Sequence, residues 1–207
     1  MIRKILCIGL LAIAASPLCC FAAGDGVLDF TASELRRILQ HGPWPQAWSP
    51  DPSNRVSGKR EAIDFGEQLF FESRLSGSGK LSCGSCHVPE RDWSDGLVRG
   101  EGMQTVDRNT PNLVNARYHR WYGWDGAADS LWSQNLRPML DNRELGATPR
   151  HVAQPVRNDG LLSFRYRKAF GPLPPATPDE PVLATVGQPI ATSRQTVRHR
   201  RQPVDPL

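Results

Sequence analysis

The chain has no second Cys-x-x-Cys, no run of sustained apolar/polar alternation and no basic patch in its middle, and each absence removes a class of protein. Without another cysteine pair, a closed zinc site of four cysteines cannot form. Without period-two patterning, strands are not needed to account for the apolar residues. The formal charge of +4 comes from 25 Lys+Arg against 21 Asp+Glu, but the excess lies at the ends. Arg3 and Lys4 open the chain, and Arg194, Arg198, Arg200 and Arg201 crowd its close beside Asp205, leaving 19 basic and 20 acidic groups between. A body so near neutrality has no electrostatic footprint for nucleic acid. What is present, 207 residues with 39% hydrophobic content, supports one domain with a real core and excludes a large two-domain enzyme. Proline is unevenly spread: Pro172, Pro174, Pro175, Pro178, Pro181, Pro189, Pro203 and Pro206 all follow Gly171. That density predicts a proline-rich, basic, irregular tail over 172–207, truncated or disordered.

Met1-Ile-Arg-Lys4, an apolar run from Ile5 to Ala15, Ser16-Pro17 and then Cys20-Phe-Ala22 have the layout of a secretory signal peptide over 1–22, with cleavage near Ala22 or Ala23. The run is too short for a permanent membrane span. Leu18 before Cys19 argues against a lipid anchor. The expected location is the bacterial periplasm. Cleavage would remove Cys7, Cys19 and Cys20, so cysteine chemistry rests on Cys83 and Cys86.

In an exported protein such a pair reads first as a disulfide, but the next residue is His87. Cys83-Gly-Ser-Cys86-His87 is the C-x-x-C-H signature of covalent haem attachment. Two thiols one helical turn apart can form thioethers to the two haem vinyl groups, and the adjacent imidazole is then held beneath the iron. A zinc site would need two more placed ligands. A thioredoxin-like dithiol would want a βαβ setting, whereas the flanks are Gly/Ser-rich before the motif and Pro89 after it.

The surrounding pattern is helical. Thr31 and Glu34 have capping-box spacing ahead of Leu35, Ile38 and Leu39, with Gly42-Pro43 as the stop. A second helix is expected over about 57–73, with Ile63, Phe65, Leu69 and Phe70 on its apolar side, and Leu75-Ser-Gly-Ser-Gly79 follows as a flexible loop. A third is expected over 128–140 with Leu131, Trp132 and Leu136, and Thr148-Pro149 caps a last short one. The expected fold is all-α with long loops.

Several blocks then fit one family in order: Gly42-Pro-Trp-Pro45, Asp51-Pro-Ser-Asn54, Gly66-Glu-Gln-Leu-Phe-Phe71, Arg74-Leu-Ser-Gly-Ser-Gly79, the C-x-x-C-H, Asp95-Gly96, Arg108-Asn-Thr-Pro111, Trp124-Asp-Gly126, Ser130-Leu-Trp-Ser-Gln134 and Arg143-Glu-Leu-Gly146. The chain resembles the N-terminal haem domain of bacterial di-haem cytochrome c peroxidases, especially the branch with the MauG-like proteins. The likeness covers about Phe30 to Gly171, which gives a cytochrome c-like haem domain over 23–171. It implies one covalent haem c with His87 as proximal ligand, Trp124 as an electron relay, Gln134 and Glu144 in the distal pocket, and Asn109 as a contributor to a calcium site. It also implies hydrogen peroxide as substrate and a small electron donor of cytochrome c or cupredoxin type.

Three departures accompany it. No histidine lies between His87 and His119, where many members carry a removable sixth ligand; Met103 is the candidate iron ligand in that loop, and an open or water-bound position is favoured. Ala127 stands where relatives often have arginine. No second C-x-x-C-H follows, so a truncated or frame-disrupted member is one expectation. The leading function is an exported haem oxidoreductase of peroxidase type. The alternatives are a mono-haem electron carrier using Met103 or His119 as second axial ligand, and an inactive remnant.

Overall fold

The computed structural model describes residues 30–41 and 47–199, and the chain divides into two compact units, Met1–Pro45 and Gln46–Leu207. In the first, α1 (Ala32–Leu39) forms where the capping pattern predicts it. Thr31 Oγ1 accepts the Glu34 N–H at 3.3 Å and the Glu34 carboxylate accepts the Thr31 N–H at 2.8 Å, satisfying two end donors reciprocally. None of its residues is buried. The leader, the Gly42-Pro43 stop and residues 200–207 lie outside the described residues.

The second unit contains α2 (Arg60–Phe70), the single turn α3 (Cys83–Cys86), α4 (Leu131–Leu140), α5 (Pro149–Asn158), α6 (Gly160–Phe170) and α7 (Asp179–Arg194). Among the described residues there are isolated antiparallel bridges but no strand. The all-α expectation therefore stands. α2 buries Ala62, Phe65, Gly66, Leu69 and Phe70, a stripe at i, i+3, i+4 and i+7 spacing that turns one face to the core. α5 opens with Thr148 as cap and Pro149 in the first turn, where its missing N–H costs nothing. Phe65 meets Tyr166 of α6 edge to face, ring centroids 6.3 Å apart.

The expected irregular tail over 172–207 is corrected in its central part. Among the described residues 171–178 and 195–199 run without helix; residues 179–194 are α7, which packs against α2, α4 and α5 and buries Val182, Leu183, Val186, Ile190 and Ala191. The domain edge at Gly171 moves accordingly, because α7 belongs to the same core. Proline density misleads here for a positional reason. Pro181 sits in the first helical turn, and only Pro189 falls in the interior, where a lost backbone bond carries its usual cost. The last expected helix is in fact two, α5 and α6. Asp159, which closes α5, also caps α6 by accepting the Leu161 and Leu162 N–H groups at 2.9 Å.

The α2–α7 crossing depends on the lack of a side chain at Gly66. A Cβ there would lie 1.8 Å from the Pro189 carbonyl oxygen and 2.9 Å from Ser193 Cβ. The obstacle is backbone, so the helices would have to separate. Gly66→Ala is expected to cost about 3 kcal/mol by overpacking, checked by denaturant unfolding of the variant against the parent.

Candidate haem site

The C-x-x-C-H segment is held as one helical turn between a tied loop and a tight turn. Before it, the Leu75–Gly79 stretch, expected to be flexible, is anchored: Leu75 and Ser76 are buried, and the Gly77 N–H donates to the Leu145 carbonyl at 2.8 Å. This bond joins the Arg74–Gly79 block to the Arg143–Gly146 block across the fold. Within the turn, the Ser85 hydroxyl accepts the Ser82 N–H at 3.0 Å, and the His87 N–H donates to the Cys83 carbonyl at 3.0 Å. Cys83 and Cys86 are both free thiols. Burial pushes the Cys83 thiol up to about 11 and raises that of Cys86 as well.

His87 is oriented by its neighbours. Its Nδ1 lies 2.9 Å from the Trp93 carbonyl oxygen, a pairing that places the ring proton on Nδ1 and leaves the lone pair on Nε2. Burial, reinforced by the positive charge of Arg194, holds the imidazole down at about 4, so it is neutral. Asp92 and Trp93 both take left-handed backbone angles, φ 54° and 61°, which turn the Trp93 carbonyl toward His87. Phe70 packs on both rings, with centroids 6.2 Å from His87 and 5.8 Å from Trp93. The next two motif blocks are also tied together. The Thr110 hydroxyl donates to the buried Asp95 carboxylate at 2.6 Å, and the Ser94 hydroxyl donates to the Thr110 carbonyl at 2.9 Å.

Glu144 also acts on the cysteines. The Met103 N–H donates to the Glu144 carbonyl at 2.8 Å, the Gln104 N–H donates to the Arg143 carbonyl at 2.9 Å, and Arg143 spans Asp107 and Asp141 at 2.8 and 3.0 Å. The approach is close enough that a Cβ at Gly102 would sit 2.6 Å from Glu144 Cα. Burial raises the Glu144 carboxyl above the usual carboxylate range, with Asp141 adding to the effect. Its charge in turn reaches both Cys83 and Cys86. Cys86 Sγ donates to the Glu101 carbonyl at 3.4 Å, so the 101–105 segment joins the cysteines to Glu144.

Trp124, Asn109 and Gln134 form a second group. Trp124 is 57% exposed, and its indole N–H donates to the Asn109 carbonyl at 3.1 Å. Asn109 is exposed, and the described residues contain no cluster of three or more His, Cys, Asp or Glu suited to a metal ion. Gln134 Oε1 is buried without a hydrogen-bond partner and lies beside Gly123, next to Trp124 in the chain. Met103 is 45% exposed. No direct contact joins Trp124 to His87 among the described residues.

The family model for di-haem cytochrome c peroxidases matches residues 60–206. The chain belongs to this family. As a di-haem cytochrome c peroxidase family member it is 31% identical to the methylamine utilization protein MauG of Methylorubrum extorquens, over 90% of this chain and 51% of the relative. It is 35% identical to the cytochrome c551 peroxidase of Pseudomonas aeruginosa, over 71% of this chain and 44% of the relative. Among solved structures it is similar to a MauG-like protein associated with microbial copper homeostasis, with a TM-score of 0.65 and 28% identity over 76% of this chain and 46% of that one. The chain thus spans about half the length of the relatives it matches. The cofactor of the family is haem c. The residues present fit that group: two free thiols one turn apart, an imidazole fixed through Nδ1, and two buried polar atoms without partners, Gln134 Oε1 and Arg194 Nε.

Trp93, Phe70 and Arg194 are parts of this site that sequence patterns do not announce. Trp93 acts through a backbone carbonyl, which no side-chain motif encodes. Phe70 reads from its spacing only as core. Arg194 falls among the basic residues of the expected tail. The paired left-handed residues Asp92 and Trp93 carry no glycine to mark them.

Proposed function

We propose that this chain is a c-type haem domain of peroxidase type, exported to the periplasm by residues 1–22, in which Cys83 and Cys86 carry the thioethers and His87 the iron. The bound haem supplies the redox centre at which hydrogen peroxide is reduced. The observation that carries this reading is the half-buried Glu144 carboxyl, raised above the usual range, whose charge acts on the two cysteines that precede the oriented His87. As a peroxide O–O bond breaks, a proton must leave one oxygen and arrive on the other. A half-buried carboxyl with a raised pKa holds its proton more readily than a free one and can serve both transfers. Gln134, with its orphaned Oε1, orients the peroxide by accepting a hydrogen bond from its O–H. Trp124, exposed at the surface, receives electrons from a small cytochrome c or cupredoxin donor. A calcium ion at Asn109 would complete its shell with carbonyls and water.

In this reading the sixth iron position is open and Met103 is not a ligand. The ferric haem-loaded protein is expected to show high-spin bands that shift on adding azide or cyanide, and Met103→Ala is expected to leave both unchanged. Low-spin bands indifferent to azide, lost on the Met103 substitution, would instead identify an electron carrier. No described helix is long and apolar enough to cross a membrane.

A further inference from the structure

The last turn of α7 carries a half-buried cation, Arg194. Its Nη1 donates to Asn135 Oδ1 of α4, and Asn135 Nδ2 donates to the Gly187 carbonyl at 3.1 Å. Arg194 Nε is buried and has no hydrogen-bond partner. Among the described residues, no carboxylate forms an ion pair with it. A guanidinium partly withdrawn from water, with its Nε unpartnered, gains from an anion placed beside it. Its charge acts on Cys83 and His87 of the attachment turn and on Tyr122, which puts it near that turn.

Haem brings carboxylates of its own, the propionates. We propose that Arg194 is a haem-binding residue whose guanidinium pairs with a haem propionate and whose residual positive charge favours the ferrous state. The pairing is charge-assisted, which makes an arginine–carboxylate contact stronger than a neutral hydrogen bond. Reduction adds one electron next to a fixed cation, which lowers the energy of the reduced form. The inference rests on haem attachment at Cys83 and Cys86, and its test separates the two.

The full chain would be expressed with haem-attachment machinery, covalent haem verified by mass, and the ferric-to-ferrous ratio read at fixed ambient potential for the parent, Arg194→Gln, Arg194→Lys and Asn135→Asp. Glutamine keeps an amide donor for Asn135 and removes the charge. The ratio is expected to rise about tenfold, a midpoint about 59 mV lower. Lysine is expected to stay within about threefold of the parent. Asn135→Asp places a competing carboxylate on Arg194, and its ratio is expected to rise in the same direction, which keeps the proposal testable should the glutamine variant not accumulate. Haem-loaded Arg194→Gln or Asn135→Asp with the parent's ratio, or Arg194→Lys shifted as far as Arg194→Gln, overturns the role of Arg194. A parent chain that acquires no haem overturns the attachment reading and the inference with it.

Discussion

Glu144→Gln is expected to slow the reaction of the haem-loaded protein with hydrogen peroxide by about 10²- to 10⁴-fold, the range lost when a positioned acid–base group is removed. The substitution is nearly isosteric, and the backbone bonds that hold the site, Met103 N–H to the Glu144 carbonyl among them, do not involve the side chain. Only proton transfer is removed. The pH profile gives an independent check. Burial raises the Glu144 carboxyl, and the ionised form is the one that accepts the peroxide proton. The parent's rate should therefore fall as pH drops through a value above the usual carboxylate range. In Glu144→Gln that acid limb should vanish, leaving a slow, flat profile. A variant as fast as the parent, or one keeping the same limb, would show that Glu144 does no proton work.

The second large effect concerns attachment. Replacing Cys83 and Cys86 together by alanine is expected to abolish covalent haem, read as loss of the haem mass increment from the denatured chain. Each single variant should retain one thioether. The loss should be specific to attachment, since the core built from α2, α5, α6 and α7 has Cys83 only at its edge. A double variant that still carried haem through denaturation would place attachment elsewhere in the chain.

Much of the fold was legible because its signals are local. Thr31 with Glu34 and Thr148 with Pro149 mark helix starts, since end donors can be satisfied by residues one turn away. The Cys83-x-x-Cys86-His87 motif could be read from the chain because attachment chemistry demands adjacency along it. α7 was not, because proline content is a sum, whereas helix compatibility depends on where each proline falls. Val182, Val186 and Ile190 carried the helical spacing that the sum concealed. The proximity of Glu144 to the cysteines was legible only through family resemblance. It is created by the fold, with Gly77 reaching Leu145 and Met103 reaching Glu144. Arg194 is far along the chain from the motif on which its charge acts, and only the fold brings the two near.

The most direct test of the central claim is stopped-flow mixing of the haem-loaded ferric chain with a stoichiometric amount of hydrogen peroxide. The expected result is a rapid change in the haem Soret band, reversed by a reduced small cytochrome or cupredoxin donor. A spectrum unmoved by peroxide, in protein shown by mass to carry haem at Cys83 and Cys86, would contradict it.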